Sequence, residues 1–295
     1  MCPNLSIFAH TNYLTYMYSK SFSPIVLALA LLFSACATNK KAIQNSVVTT
    51  STPTAVEKQY HITNISRSRI LVDSRYDAMA DTEAADFMKP YKNKVDSIMS
   101  PVVGKVSCDM TSHRPESPMT DLFSDILVWG SRTFNEKPAF AVYNAGGIRA
   151  AFAKGDITIG DVLDAAPFEN KICFLTLSGA DVIKLFGDIA ARGGEGVSKS
   201  VELVITKHGK LKSARLGGKA INPKANYRVA TLDYLAQGND GLTTFKKGTN
   251  IVSPQNEKNN VRYIIMDYFR SQKGKPVGNP MTAKGAKPRI KVVAE

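Results

Sequence analysis

The sequence predicts an α+β domain, with strands and helices mixed in one body. Hydrophobic residues make up 44% and charged residues 21% of the 295, an ordinary globular balance that excludes a wholly disordered chain. From Tyr60 onward, strand-like and helix-like apolar patterns alternate, but without the strict rhythm of a parallel α/β sheet. No internal repeat is visible, and the length suits one large domain or two small ones.

The elements follow in order. Tyr60–Val72 reads as a strand with a polar break at Ser66–Arg69. Asp81 is placed to cap a helix through Ala85, Met88, Val95 and Met99, which Pro101 ends. Ser117-Pro118 starts a second helix, with Leu122, Ile126 and Trp129 forming one apolar stripe. Phe140–Tyr143 is a short strand running into a glycine turn, and Lys171–Leu177 is the next strand. Ser178 and Asp181 are spaced as a capping box for a helix through Val182, Leu185, Phe186 and Ile189, stopped by Gly193-Gly194. Val201–Thr206 and Leu211–Leu216 are strands, and Gly217-Gly218 turns the chain into Lys219–Ile221. Tyr227–Leu232 is a strand leading to a glycine-rich loop. Val261, Ile264, Ile265, Tyr268 and Phe269 mark a late helix closed by Gly274, and Pro288–Val293 is a last strand.

The first 36 residues read as an export signal. Ile25–Phe33 (IVLALALLF) is an apolar run of signal-peptide length, too short to span a bilayer, and it ends on Ser34-Ala35-Cys36. FSAC resembles a bacterial lipobox, which makes Cys36 the expected lipidation site; the alternative is plain cleavage near Ala35. The n-region is thin, and translation can equally start at Met17. The Ser/Thr-rich residues 37–57 read as a flexible tether, leaving 58–295 as the domain. The expected location is the cell envelope, lipid-anchored in the periplasm or at the outer membrane.

Lys and Arg number 38 against 25 Asp and Glu, a net charge of +13. The positive residues are scattered, which favours attraction of small anions over a nucleic-acid groove. Four cysteines without CxxC spacing exclude a disulfide scaffold and a zinc ribbon. The four histidines are isolated, and no His/Asp cluster has ligand spacing, so no metal ligand is expected in this chain.

Three loops carry the chemistry. Asn144-Ala145-Gly146-Gly147-Ile148-Arg149 follows a strand directly; Gly146 and Gly147 allow close backbone approach, and Arg149 adds a planar donor fork for phosphate or carboxylate. Asn144 donates and accepts at once, which suits a base edge. Phe168, in Ala166-Pro167-Phe168-Glu169-Asn170, is either a core plug or a stacking platform. Tyr234 and Asp240 lie within one turn, with Asp240 suited to ribose hydroxyls and Tyr234 to stacking or to the core rim. Arg114 lies just before a helix N-terminus, as an anion ligand or as a surface partner of Glu116.

Together these motifs resemble the 5′-nucleotidase C-terminal domain family. VYNAGGIRAAFAKGDITIGDVLDAAPFENKICFLTLSGADVIKLF is similar to its N-x-GGIR, G-x-IT and PF-x-N run. RPESPMTDLFSDIL and VATLDYLAQGNDGLTTF resemble its arginine-bearing helix start and its GGDG loop. The resemblance implies a nucleotide-binding half. Arg114, Asn144 and Arg149 would then meet phosphate and base, Phe168 and Tyr234 would sandwich the base, and Asp240 would accept from the ribose. Tyr234 stands where Phe is usual, and Asn239 takes a glycine position of the GGDG run. The family's metallophosphatase motifs, GNHD and GH-x-H among them, do not occur in this sequence. The expectation is a nucleotide- or nucleoside-binding chain with no catalytic residue and no cofactor of its own. It would be inactive alone and would act in nucleotide catabolism with a separate calcineurin-like metallophosphatase chain that carries the divalent metals. The alternative is a non-catalytic lipoprotein that binds nucleosides or similar anions. No nucleic-acid partner is expected.

Overall fold

The computed structural model describes residues 63–79 and 81–295. The export signal, Cys36 and the tether lie outside the described residues. The chain divides into two units between Leu71 and Val72. Residues 63–71, the described part of the first, have no regular secondary structure. The strand expected over Tyr60–Val72 therefore does not form in its described portion. Ile65, Ile70, Leu71 and Val72 are all exposed, and no described strand pairs with this segment, so its apolar residues have no ladder to stabilise them.

The second unit opens with a single turn at Ser74–Met79 and then helix α1 (Thr82–Met99). The Asp81 carboxylate caps α1, accepting from the Ala84 N–H at 3.0 Å. Strand β1 (Val102–Val106) leads to α2 (Pro118–Gly130), which carries the full capping box between Ser117 and Thr120 and proline at its first position. Strand β2 (Phe140–Tyr143) follows, then β3 (Gly155–Thr158) and α3 (Ile159–Ala165), β4 (Ile172–Ser178) and α4 (Gly179–Ala191). In α4 the Ser178 hydroxyl accepts from the Asp181 N–H, while the Asp181 carboxylate takes the Ser178 hydroxyl rather than a backbone donor. Strands β5 (Gly196–Val197), β6 (Val201–Thr206), β7 (Leu211–Leu216), β8 (Lys219–Ala220) and β9 (Asn226–Leu232) precede the one-turn α5 (Asp233–Ala236). Strand β10 (Thr249–Val252), α6 (Val261–Ser271) and β11 (Ile290–Val293) complete the described elements.

These strands form a two-stranded sheet β1-β3, a five-stranded sheet β10-β4-β9-β2-β5 and a four-stranded sheet β11-β6-β7-β8. In the central sheet β2 runs parallel to β9, pairing Phe140 with Val229. Strand β4 runs antiparallel to β9, pairing Ile172 with Leu232, and β5 antiparallel to β2, pairing Tyr143 with Gly196. The carboxyl ends of β2 and β9 and the amino ends of β4 and β5 therefore share one edge. Toward that edge all four strands are buried, and Phe140, Phe174 and Phe186 are fully buried around them.

A second tie closes the fold. Arg289, at the entry to β11, is buried against α2: its Nε lies 3.0 Å from Asp121 and its Nη2 2.6 Å from Asp125. The Glu116 carboxylate accepts the Arg289 and Ile290 N–H groups. Glu116 is thus buried in this tie and is not the surface partner of Arg114 that the sequence allows. Two carboxylates hold the guanidinium, and a third holds the backbone beside it. Burial pushes the Asp121 carboxyl up to about 7, with Arg289 opposing and Glu116 and Asp125 reinforcing the shift.

The sign of the consequence follows from proton linkage. Native Asp121 keeps a proton that the unfolded chain releases, so stability falls as pH rises from the ordinary value of 3.8 to about 7, and levels off above it. Asp121→Asn removes the titration. The melting temperature of the wild type minus that of the variant should drop on the order of 5 °C between pH 4.5 and 8 in thermal melts. A difference that does not change with pH would show Asp121 to be ionised throughout.

Candidate functional site

The shared sheet edge delivers four loops to one place. The Asn144–Arg149 turn leaves the end of β2, the Tyr234–Asp240 turn leaves β9 through α5, the Phe168 loop enters β4, and Gly194-Glu195 enters β5. The eight residues expected from the sequence, Arg114, Asn144, Gly146, Gly147, Arg149, Phe168, Tyr234 and Asp240, all line one cavity of about 410 Å³. Asn170 and Arg192 line it as well.

Phe168 and Tyr234 are 48% and 38% exposed. Neither is a core plug; each presents a ring to the cavity from its own loop. The Phe168 loop is held from α6, where Arg262 donates to the Pro167 carbonyl at 3.1 Å and Val261 donates to the Asn170 carbonyl at 2.9 Å. The Tyr234 turn is held by its own polar residues. Asp233 accepts from the N–H groups of Lys171 and Tyr234, and the Asn239 amide donates to the Tyr234 carbonyl at 2.8 Å. Asn239, in a glycine position of the resembled loop, thus acts as a brace. Asp240 adopts φ +54°, between Gly238 at +80° and Gly241 at +72°. That left-handed backbone is one Asp tolerates better than most side chains.

The polar side of the cavity is organised by a residue the sequence reading does not single out. Glu195 is fully buried, and its Oε1 accepts from Arg114 Nη2 and, at 2.7 Å, from Arg192 Nε. Its Oε2 accepts the Ala145 N–H at 2.6 Å. Arg114 also donates from Nε to the Gly194 carbonyl. Two guanidinium groups share one carboxylate, and with Arg149 and Asp240 also lining the cavity the site keeps a net positive charge. Gly194 makes the approach possible: it sits at φ +110°, and a Cβ there would collide with the Pro115 carbonyl oxygen. Arg192 and Glu195 carry no motif of their own. In sequence they are only an opposite-charge pair at i and i+3 beside two glycines just past a helix end, a spacing that does not tell a buried pair from a surface one.

Arg149 is tethered more loosely. It donates to the Gly146 carbonyl at 3.2 Å, and its guanidinium lies 6.0 Å from the Phe168 ring centroid. Asn144 is buried and does not reach out as a free base-edge reader: its Nδ2 donates to Asp240 Oδ2 at 2.7 Å, and its Oδ1 packs against Gly147 without a hydrogen-bond partner. The Tyr234 hydroxyl donates to Asp240 Oδ1 at 3.0 Å. Its pKa rises, first because the carboxylate accepts that proton and then through burial. His113 and His208 are exposed and lie outside the cavity.

Comparison with known proteins places the chain and its fold. Residues 102–247 match the family described as 5′-nucleotidase, C-terminal domain. Protein UshA of Escherichia coli (strain K12) is 27% identical over 157 residues, covering 52% of this chain and 28% of its own length. The 5′-nucleotidase of Vibrio vulnificus (strain CMCP6) is 24% identical over 193 residues, covering 64% of this chain and 34% of its own. The chain thus matches about a third of the length of these relatives. The solved 5′-nucleotidase precursor from Thermus thermophilus shares the fold, with a TM-score of 0.61 at 24% identity over 73% of this chain and 44% of that one.

Removing the Glu195 charge tests the frame. Glu195→Gln removes the shared counter-ion of Arg114 and Arg192, and because both are about a third exposed the cost is about 1–3 kcal/mol. A drop in melting temperature on the order of 5 °C is expected in thermal melts. A variant as stable as the wild type would show that the two arginines need no counter-ion.

Proposed function

Since residues 102–247 belong to the 5′-nucleotidase C-terminal domain family, we propose that the cavity holds a nucleotide or nucleoside. The chain would supply the substrate-binding half of a nucleotide phosphohydrolase. The observation that carries this reading is the convergence of two exposed aromatic rings, three arginines and one carboxylate on a single cavity. Its volume, about 410 Å³, suits a base, a sugar and little more.

In this reading Phe168 and Tyr234 stack on the base from opposite loops, as exposed rings do with any base. Asp240 accepts from the ribose, with Asn144 holding its carboxylate in place. Arg114, Arg149 and Arg192 meet phosphate, helped by the close backbone approach that Gly146 and Gly147 allow. No residue of the chain is assigned a bond-breaking role, and no cofactor. The chemistry is proposed to come from a separate metallophosphatase chain that carries the divalent metals, which would make phosphate-monoester hydrolysis a two-chain activity. Export and lipid anchoring through Cys36 would place the site in the cell envelope.

Calorimetry separates the roles. The wild type should bind AMP more tightly than adenosine. Arg149→Ala should weaken AMP about tenfold and leave adenosine unchanged, since a charge-assisted contact is lost only with the charged ligand. Phe168→Ala should weaken both by about 1–3 kcal/mol. The purified chain with Mg²⁺, Mn²⁺ or Zn²⁺ should release no phosphate from AMP. The absence of binding to every nucleoside and nucleotide would overturn the reading. Metal-dependent hydrolysis that disappears in Arg149→Ala would move the chemistry onto this chain.

A further inference from the structure

We propose that the Tyr234 hydroxyl occupies the sugar-binding carboxylate in the free protein and thereby lowers the site's discrimination between a ribose diol and a sugar without one. The inference rests on the reading of the cavity as a nucleoside site and adds a specificity determinant to it.

Among the described residues that line the cavity, Asp240 is the one acid. Both of its oxygens are engaged: Oδ2 accepts from Asn144 at 2.7 Å and Oδ1 from the Tyr234 hydroxyl at 3.0 Å. The two donors are not equivalent. Asn144 is 4% exposed and belongs to the frame, whereas Tyr234 is 38% exposed and lies where a ligand arrives. The phenol contact is therefore the one a ligand can break. The Asn144 contact holds the carboxylate and the Asn239 brace holds its turn, while each carboxylate oxygen keeps one lone pair beyond the donor it already accepts.

A vicinal diol donates two hydroxyls to a carboxylate. At this site it must displace the phenol from Oδ1 or share that oxygen with it. Displacing the phenol offsets part of the gain, since binding then exchanges one donor for another, and a shared oxygen accepts each donor less strongly than a free one. A sugar lacking both hydroxyls leaves the Tyr234–Asp240 bond intact and loses nothing. The gap between the two ligands is smaller than a bare carboxylate would give.

The test compares adenosine with 2′,3′-dideoxyadenosine by calorimetry on the full chain, as wild type, Tyr234→Phe, and Tyr234→Phe combined with Asp240→Asn. Phenylalanine keeps the stacking face and removes the competing donor. Tyr234→Phe should bind adenosine roughly three- to tenfold more tightly and dideoxyadenosine unchanged, so the affinity ratio rises. Adding Asp240→Asn should bring the ratio back to the wild-type value or below it. If the ratio in Tyr234→Phe is unchanged or lower, including a case where both ligands weaken together, this inference is overturned and the nucleoside reading stands. If the wild type binds neither ligand, both are overturned.

Discussion

A single buried carboxylate lets two guanidinium groups stand together at the mouth of the cavity. Without Glu195, Arg114 and Arg192, each about a third exposed, would repel each other with only partial screening by water. With it, each arginine is fixed by a charge-assisted hydrogen bond and turns its remaining donors toward the cavity. Three arginines against Glu195 and Asp240 leave the cavity with a net positive charge. That local excess, rather than the scattered net charge of +13, is what an anion entering the cavity meets. The same carboxylate accepts the Ala145 N–H, so the glycine turn is held in register with the arginines. The glycines around Glu195 follow from this demand. Gly194 passes against the Pro115 carbonyl and Gly196 against those of Thr120 and Tyr143, where a side chain has no room.

The sheet decides where that carboxylate sits. Parallel pairing of β2 with β9, and antiparallel pairing of β4 and β5 with them, brings loops far apart in the chain to one edge. Each loop is then tied to an element that does not move with it. Arg262 of α6 holds the Phe168 loop, Asp233 joins the starts of β4 and α5, and Asp240 reaches Asn144 across 96 positions of sequence. Arg289 does the comparable work on the other side, pinning β11 to α2, the helix that follows the Arg114 loop. The site is thus built from loops whose conformations are set by long-range polar contacts, with the hydrophobic core supplying the rigid edge.

The local elements were readable because their signals are local. Ser117-Pro118, Asp81 and the stripe Val182, Leu185, Phe186 and Ile189 state caps and faces within a single turn. The eight cavity residues were readable through motif spacing, although Asn144 proved to be a brace rather than a free donor. Strands β1, β3, β5 and β10 are not anticipated by the sequence. They are short, and β1 and β3 pair with each other about fifty residues apart, with β1 also bridged to Val277, while β10 is exposed along its length. Conversely, Tyr60–Val72 has strand composition but, in its described part, no partner. Glu195 and Arg192 were hidden for the same reason. An acid and a base three residues apart look like a surface pair, and only the tertiary arrangement shows that the acid is fully buried and serves a second arginine from residue 114.

The three arginines differ in a way that bears on what they can recognise. Arg114 and Arg192 are held by Glu195 before any ligand arrives, so the entropy of ordering them is spent in folding. Arg149 donates only to its own turn and rests near the Phe168 ring. Ordering it against a ligand costs on the order of 1–2 kcal/mol of side-chain freedom. A neutral group in reach returns roughly that much or less, while an anionic oxygen returns about 1.5–3 kcal/mol. The fixed pair therefore attracts any anion, and the loose arginine commits only when the group before it is charged. In the proposed reading this arrangement makes phosphate, rather than the base, the feature that closes the site. It also leaves the face of Phe168 free for a base once Arg149 has turned away.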